Sequence, residues 1–250
     1  MSIVRHRRPG GRQGAGLLTA YRAYGSPVTP TSRWLASPLL DRGVVYAVAH
    51  VRGGGEMGRH CYDHSKVAPG NRNVLRHRCC GAVCSATRSW VDPKRLGLEG
   101  GSAIGPARRG GRQPGSRTVR VPTPRCPSST PSTILRPELP LTIGSGRMGQ
   151  PIRTRIYACM KAYTRRERHG ARVYPAILAT DEPARHRVFF TEPAKWVARL
   201  RRRSATEARP ILLRTEMAAG HGGRSGRYAA WGRSRGWSVV LDQLGATETL

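Results

Sequence analysis

A serine behind two glycines stands at the end of a strand-like run, a combination that is typical of an activated nucleophile. The run is Arg95–Glu99, and Gly100, Gly101, Ser102 and Ala103 follow it. Glycine before the serine permits the tight strand-to-helix turn that exposes a nucleophilic hydroxyl. Most Gly-Gly-Ser-Ala sequences are plain turns, so the interpretation of Ser102 as a nucleophile depends on finding a base elsewhere in the chain.

A histidine near the C-terminus has the surroundings expected of that base. His221 lies in Met217–Tyr228, a glycine-rich segment that follows another strand-like run. A loop at a sheet edge allows an imidazole to reach a serine oxygen and accept its proton. Serine first and histidine last is the order found in α/β-hydrolases. The two residues together predict nucleophilic catalysis by a serine and a histidine.

Short apolar runs predict the strands that would position this pair. Gly43–Val51 is β-branched and apolar without alternation, as expected of a strand buried on both faces of a parallel sheet. Three further strands are predicted at Arg95–Glu99, Pro175–Ala179 and Ile211–Arg214. A chain of 250 residues is long enough for one domain with its own core. The predicted fold class is therefore α/β, in a single domain.

One helix is predicted at Thr191–Leu200. A capping hydroxyl opens the segment, and an acidic residue and a proline follow in its first turn. Trp196, Val197 and Leu200 share one face at helical spacing. We expect this face to pack in the core, and we assign Trp196 to packing and not to a site.

Three longer motifs resemble a known family. Val51–Arg59, Glu192–Ala198 and the segment around His221 resemble, in this order, the catalytic domain of the prolyl oligopeptidase family of serine peptidases, in its oligopeptidase B branch. Pro137–Thr142 and Leu40–Gly43 resemble further stretches of that domain. The resemblance implies a truncated α/β-hydrolase fold and a serine peptidase that cleaves oligopeptides after Arg or Lys. It implies neither a cofactor nor a metal.

The resemblance also implies roles for individual residues. Ser102 would be the nucleophile and His221 the general base. The main-chain N–H of Ala103 and the hydroxyl of Tyr21 would stabilise the oxyanion, and Arg187 would hold substrate.

Several positions depart from the family pattern. Arg185 stands where the family has the triad aspartate, and Asp181, four residues away, is the carboxylate that could replace it. Ile104 replaces a family glycine, and Ile143–Pro151 lacks the carboxylates of the family's specificity pocket. We therefore expect activity to be impaired or absent. The family's N-terminal β-propeller is also expected to be absent, which makes a separately encoded propeller fragment an expected partner.

Blocks of ordinary globular sequence alternate with blocks of Arg, Gly, Pro, Ser, Thr and Cys. We expect residues 1–250 to form one partial catalytic domain in which 106–136 and 145–158 are irregular, because glycine and proline oppose regular structure there. A reading frame that slips in and out of register would explain both kinds of sequence block, and we state this as a hypothesis.

The charge suggests a rival function. There are 44 basic and 14 acidic residues, a formal net charge of +30. Such a charge favours salt-sensitive, non-specific binding to nucleic acid, so a non-enzymatic basic protein is the alternative to a peptidase. The segment from Pro106 to Ile156 has no aromatic residue for stacking on bases, so no specific nucleic acid is expected as a partner.

A second rival is a zinc site. Histidines and cysteines follow the Val51–Arg59 motif closely, at His60, Cys61, His64, His77, Cys79, Cys80 and Cys84. Apart from Cys61 and His64, their spacings do not match the usual ligand pairs, so no metal is predicted.

No apolar run has the length of a membrane span, and no apolar signal-peptide core follows the basic N-terminal residues. No membrane partner and a cytoplasmic location are therefore expected. Six cysteines in such a chain are not expected to form a disulfide framework.

Overall fold

A seven-stranded mixed sheet organises the chain in the computed structural model. The structure describes residues 1–7, 13–20, 24–28, 33–50, 53–63, 89–101, 119–125, 173–182, 189–205, 209–217 and 226–248. The strands are β1 Ser2–Val4, β2 Gly14–Ala20, β3 Val45–Ala49, β4 Val91–Gly101, β5 Val119–Arg125, β6 Ile177–Asp181 and β7 Ile211–Thr215. The helices are α1 Arg33–Leu40, α2 Arg59–Asp63, α3 Thr191–Arg203 and α4 Gly226–Leu244.

The strands run side by side in the order β1-β3-β2-β4-β5-β6-β7. β1 pairs with β3 antiparallel, and every other neighbouring pair is parallel. Parallel neighbours need crossover connections, which helices usually provide, and a parallel sheet is covered on both faces. The α/β fold class predicted from the sequence is confirmed.

Central strands bury both of their faces. Along β2, Leu18 and Ala20 join one core cluster, whereas Ala15 and Leu17 join another on the opposite face, as the two-residue period of a strand requires. Leu17 and Leu18 are at most 1% exposed. The predicted strands at Gly43–Val51, Arg95–Glu99, Pro175–Ala179 and Ile211–Arg214 are confirmed, with the shifted bounds given above.

The helix predicted at Thr191–Leu200 is confirmed as α3. Trp196, Val197 and Leu200 are buried and pack with residues of β6 and β7. The prediction of a capping hydroxyl is wrong, because Phe190 is the N-cap and no side chain caps the helix. The amide of Glu192 donates instead to Phe189 O (2.9 Å), and the first bond within the helix runs from Ala194 N to Phe190 O (3.2 Å).

The prediction that 106–136 is irregular is wrong for residues 119–125, which form β5. Val121 is fully buried between β4 and β6, so pairing on both sides creates a strand that local propensity does not favour. The rest of that range, and all of 145–158, lie outside the described residues. Among the described helices, none is long and apolar enough to cross a membrane.

Candidate active site

The carboxyl ends of the parallel strands lie at one edge of the sheet, where open α/β sheets bind their ligands. β4 ends at Gly101, directly before Ser102. β2 ends at Ala20, directly before Tyr21. β7 ends at Thr215 and leads into the segment that carries His221. The chain therefore brings the attachment points of the predicted nucleophile, oxyanion donor and base to the same edge.

Five predicted site residues lie outside the described residues, namely Tyr21, Ser102, Ala103, Arg187 and His221. Arg185, at the family's aspartate position, also lies outside them. Their roles remain predictions, and Asp181 is the predicted catalytic residue whose placement the structure describes.

The ends of β4, β5 and β6 are level with one another. Gly101 pairs with Arg125, and Arg125 pairs with Thr180. Neighbouring strands lie about 4.8 Å apart, so Gly101 and Thr180 are separated by roughly 10 Å across the sheet. β4 and β6 therefore end level with each other at the same edge of the sheet.

Asp181 is the last residue of β6 and is 1% exposed. It pairs with Thr215 of β7, and its carbonyl oxygen accepts a hydrogen bond from Glu216 N (2.7 Å). The buried carboxylate is therefore next to the strand from which the His221 segment departs.

The start of the His221 segment is fixed on its other side by Arg214. Arg214 Nη2 lies 3.0 Å from Glu216 Oε2, and Arg214 Nη1 donates to Gly232 O of α4 (2.7 Å). Both side chains of this ion pair are largely buried. The arginine thus links β7 to α4, the two elements between which His221 lies in sequence.

A second polar group at this edge was not identified in the sequence. Glu56 Oε1 accepts a hydrogen bond from Val28 N (2.9 Å) and lies 3.5 Å from His50 Nδ1. Ser2 Oγ lies 2.8 Å from His50 Nε2, with the donor set by the histidine tautomer. The sequence signal was the Val51–Arg59 motif, which contains Glu56, but nothing in it pointed to His50 or Ser2.

Of the residues considered for zinc, His60 and Cys61 lie in α2, while His64, His77, Cys79, Cys80 and Cys84 lie outside the described residues. Within the described ranges, no three His, Cys, Asp or Glu side chains are grouped as metal ligands.

Comparisons with known proteins relate this architecture to one family. The model of the prolyl oligopeptidase family matches residues 30–107. Protease 2 of Moraxella lacunata is 32% identical over 232 residues, covering 92% of this chain and 33% of that protein. Dipeptidyl aminopeptidase BI of Pseudoxanthomonas mexicana is 34% identical over 232 residues, covering 92% of this chain and 32% of that protein.

A solved structure agrees with these sequence relatives. Oligopeptidase B from Trypanosoma brucei, in a closed form with covalently bound antipain, superposes with a TM-score of 0.84 at 27% identity. The match covers 99% of this chain and 35% of that one. The chain thus spans about a third of the length of the relatives it matches. Its α/β-hydrolase-like sheet and these relatives together support an oligopeptidase B-like fragment of the prolyl oligopeptidase family.

Proposed function

We propose that this chain is the hydrolase part of a serine oligopeptidase, with Ser102 as nucleophile and His221 as general base. The observation that carries the proposal is the end of β4 at Gly101, directly before Ser102 and level with the end of β6. In this arrangement Ser102 attacks a peptide carbonyl carbon and His221 takes the hydroxyl proton, then passes it to the leaving amine.

The oxyanion would be stabilised by the N–H of Ala103 and the hydroxyl of Tyr21. Tyr21 directly follows β2, the neighbour of β4 in the sheet, and this adjacency supports its assignment. Arg187 would hold the substrate, as the family resemblance implies. Removing a single oxyanion donor lowers turnover about 10²- to 10³-fold in well-studied serine peptidases.

The substrate class we propose is the oligopeptide with Arg or Lys before the cleaved bond. The similarity to an oligopeptidase B supports this specificity. Ile143–Pro151 contains no carboxylate to attract a basic side chain, so we propose that recognition in this chain is weak.

Turnover itself should also be impaired. Arg185 replaces the family aspartate, and loss of the carboxylate that orients the histidine costs about 10⁴ in turnover in a well-studied serine protease. Ile104 places a β-branched side chain where the family has glycine, and overpacking of that kind costs about 1 to 3 kcal/mol. Asp181 is the described carboxylate that we propose as a replacement, because it pairs with Thr215 of β7.

The experiment restores the missing carboxylate at position 185. We expect the parent chain to cleave Arg and Lys peptides no faster than Ser102→Ala, and Arg185→Asp to raise turnover at least about tenfold because a carboxylate again orients His221. Adding Ser102→Ala or His221→Ala to Arg185→Asp should remove the gain. A gain that survives Ser102→Ala would contradict the proposed nucleophile.

Asp181→Asn tests whether the carboxylate at position 181 or the one introduced at position 185 orients His221. If Asp181 does not orient His221, this variant leaves the turnover of Arg185→Asp unchanged. Parent turnover that already exceeds Ser102→Ala, and is lost in Asp181→Asn, would instead assign the orienting role to Asp181 and overturn the proposed impairment.

We further propose that a separate chain covers this edge, namely a propeller fragment of the family type. Large apolar side chains are exposed in segments that follow the carboxyl ends of strands, at Met57, Phe190, Met217, Tyr228 and Trp231. Contiguous exposed apolar patches mark protein contacts, and we propose that these side chains form one. Binding of the unmatched two thirds of the Moraxella protein, weakened by Trp231→Ser, would support this partner, and co-elution that is insensitive to that change would count against this surface.

A further inference from the structure

We propose that Glu56, which lies beside the Ser2–His50 pair, is a positioning residue that fixes the loop leaving β2 at the active edge of the sheet. This loop, Tyr24–Val28, is called the β2 loop below. The segment Gly53–Asp63, which carries Glu56, is called the clasp. The inference rests on the proposed function, because Tyr21, the proposed oxyanion donor, lies between β2 and the β2 loop in sequence.

Three polar contacts connect distant parts of the chain at this place. Glu56 Oε1 binds Val28 N at 2.9 Å and faces His50 Nδ1 at 3.5 Å, while His50 Nε2 lies 2.8 Å from Ser2 Oγ. The side chains of His50 and Glu56 are 22% and 12% exposed. Largely excluded from water, a carboxylate that accepts a backbone N–H is a strong hydrogen-bond acceptor.

The β2 loop has a strained backbone that needs such support. Tyr24 has a φ of 62°, in the left-handed region that non-glycine residues rarely occupy. A residue in this region persists only where the surrounding structure holds it, and such residues cluster at functional sites. Here the clasp binds the loop on the C-terminal side of Tyr24, through Gly53 O to Gly25 N (3.1 Å) and through Glu56 to Val28 N.

Two glycines of the clasp are required by its close approach to the loop. A Cβ at Gly54 would collide with the carboxylate of Glu56, so the side chain could not fold back over its own backbone. A Cβ at Gly55 would collide with the carbonyl oxygen of Gly25. Gly55 of the Val51–Arg59 motif is thus explained by contact with the β2 loop, and Gly54 by the conformation of Glu56.

The consequence for the site follows from chain length. Ala20 is fixed in the sheet by its pairing with Ala49, and Tyr24 is the next described residue. Only residues 21–23 lie between these two points, so the position of the β2 loop limits where Tyr21 can be. Glu56 therefore acts on the proposed oxyanion donor through the loop and not by contact with substrate.

Hydrogen exchange measured by NMR on the whole chain tests the clasp directly. Glu56→Ala should raise the exchange rate of the Val28 amide about ten- to hundredfold, because that N–H loses a charged acceptor. Glu56→Gln should raise the rate much less than Glu56→Ala, since its amide oxygen can still accept but carries no charge. The control Asp63→Asn removes the same charge from α2, where the carboxylate pairs with Arg59 instead. Unchanged exchange in Glu56→Ala would overturn the proposal.

A milder variant covers the case in which Glu56→Ala does not fold. Ser2→Ala removes only the outermost contact and should raise Val28 exchange about two- to fivefold, within the range expected for one neutral hydrogen bond. No change in Ser2→Ala would remove His50 and Ser2 from the proposal.

The positioning role needs a measurement that a merely structural contact would not affect. Fluorine NMR of 3-fluorotyrosine-labelled chain, with the Tyr21 resonance assigned by Tyr21→Phe, should show that resonance shifted in Glu56→Ala and restored in Glu56→Gln. A Tyr21 resonance that is unmoved while Val28 exchange rises would contradict positioning. Neither measurement requires turnover, so the proposed peptidase function can fail in the Arg185→Asp test independently of this result.

Discussion

At the amino edge of the sheet several arginines donate to carbonyl oxygens at the end of α4, whereas at the carboxyl edge one arginine, Arg214, donates to a carbonyl oxygen of α4 and a carboxylate accepts from a backbone amide. At the amino edge the acceptors lie at the end of α4 and just beyond it. The contacts are Arg95 Nε to Leu244 O (2.7 Å), Arg95 Nη2 to Gly245 O (2.5 Å), Arg120 Nε to Gln243 O (3.2 Å) and Arg42 Nε to Thr247 O (3.2 Å). At the carboxyl edge, Glu56 accepts from Val28 N and Asp181 closes β6.

The difference shows that part of the arginine excess is structural. The last carbonyls of a helix have no partner within the helix and carry the negative end of its dipole, so guanidinium groups suit them. None of these contacts involves a residue of the proposed catalytic machinery. The amino edge can therefore stabilise the fold whether or not the carboxyl edge performs chemistry.

The largest effect on stability should come from the core at the amino edge. Leu244 is 2% exposed and packs in the cluster that contains Leu17 and Val44. Leu244→Ala should lower the free energy of unfolding by about 2 to 5 kcal/mol in urea denaturation. The control Leu212→Ala, at a residue that is 37% exposed, should lose less than about 1 kcal/mol. Equal losses in the two variants would contradict a core at this edge.

Arg95 should give the next largest effect. Arg95→Ala removes two hydrogen bonds to carbonyl oxygens and should lower the free energy of unfolding by about 1 to 3 kcal/mol. Arg95→Lys should recover only part of this, because an ammonium lacks the planar fork of donors. Arg7→Ala removes the same charge from an exposed position and is the matched control. A loss in Arg7→Ala as large as in Arg95→Ala would mean that net charge, not the contacts, decides stability.

A smaller change of opposite sign is expected within α4. Gly236 lies inside this helix, and nothing would meet a Cβ there within 4 Å. Gly236→Ala should raise the free energy of unfolding by about 0.5 to 1 kcal/mol, because alanine loses less backbone entropy in a helix. Thermal unfolding of Gly55→Ala provides the contrast, since the clash with Gly25 should lower its midpoint. A midpoint below that of the parent in Gly236→Ala would argue against α4 as described.

The smallest effect is expected for an arginine at the carboxyl edge. Arg59 pairs with Asp63 one turn away in α2, and both side chains are exposed. Arg59→Ala should change the free energy of unfolding by no more than about 0.5 kcal/mol, as for other exposed helix pairs. A larger loss would mean that this exposed arginine stabilises the fold as much as the arginines at the amino edge.

The sequence predicted the elements whose local pattern agrees with their final environment. β3 is apolar throughout because both of its faces are covered, and α3 has one apolar face because only one side meets the sheet. β1, β2, β5, α1, α2 and α4 were not predicted. β5 contains two prolines and two arginines, and α4 contains three glycines, so only packing against the rest of the sheet selects these structures.

The residues of the site also fall into two groups, those that sequence motifs predict and those that only the folded structure brings together. Ser102 and His221 can be proposed from sequence because short motifs surround them, and Asp181 because it lies near a family position. Glu56, His50 and Ser2 make contact only after β1 and β3 have paired, and no motif contains all three residues. Networks built from separate parts of a chain have no local signature.

The core cluster around Leu244 also bears on how the protein is made. It joins Ala15 and Leu17 of β2 to Val240 and Leu241 of α4, across nearly the whole length of the chain. Contacts between such distant segments slow folding, because the chain loses the entropy of closing a long loop before these contacts form. During synthesis, β2 emerges from the ribosome long before α4 exists to cover it. The nascent chain must therefore keep an apolar central strand away from other chains until α4 has been synthesised.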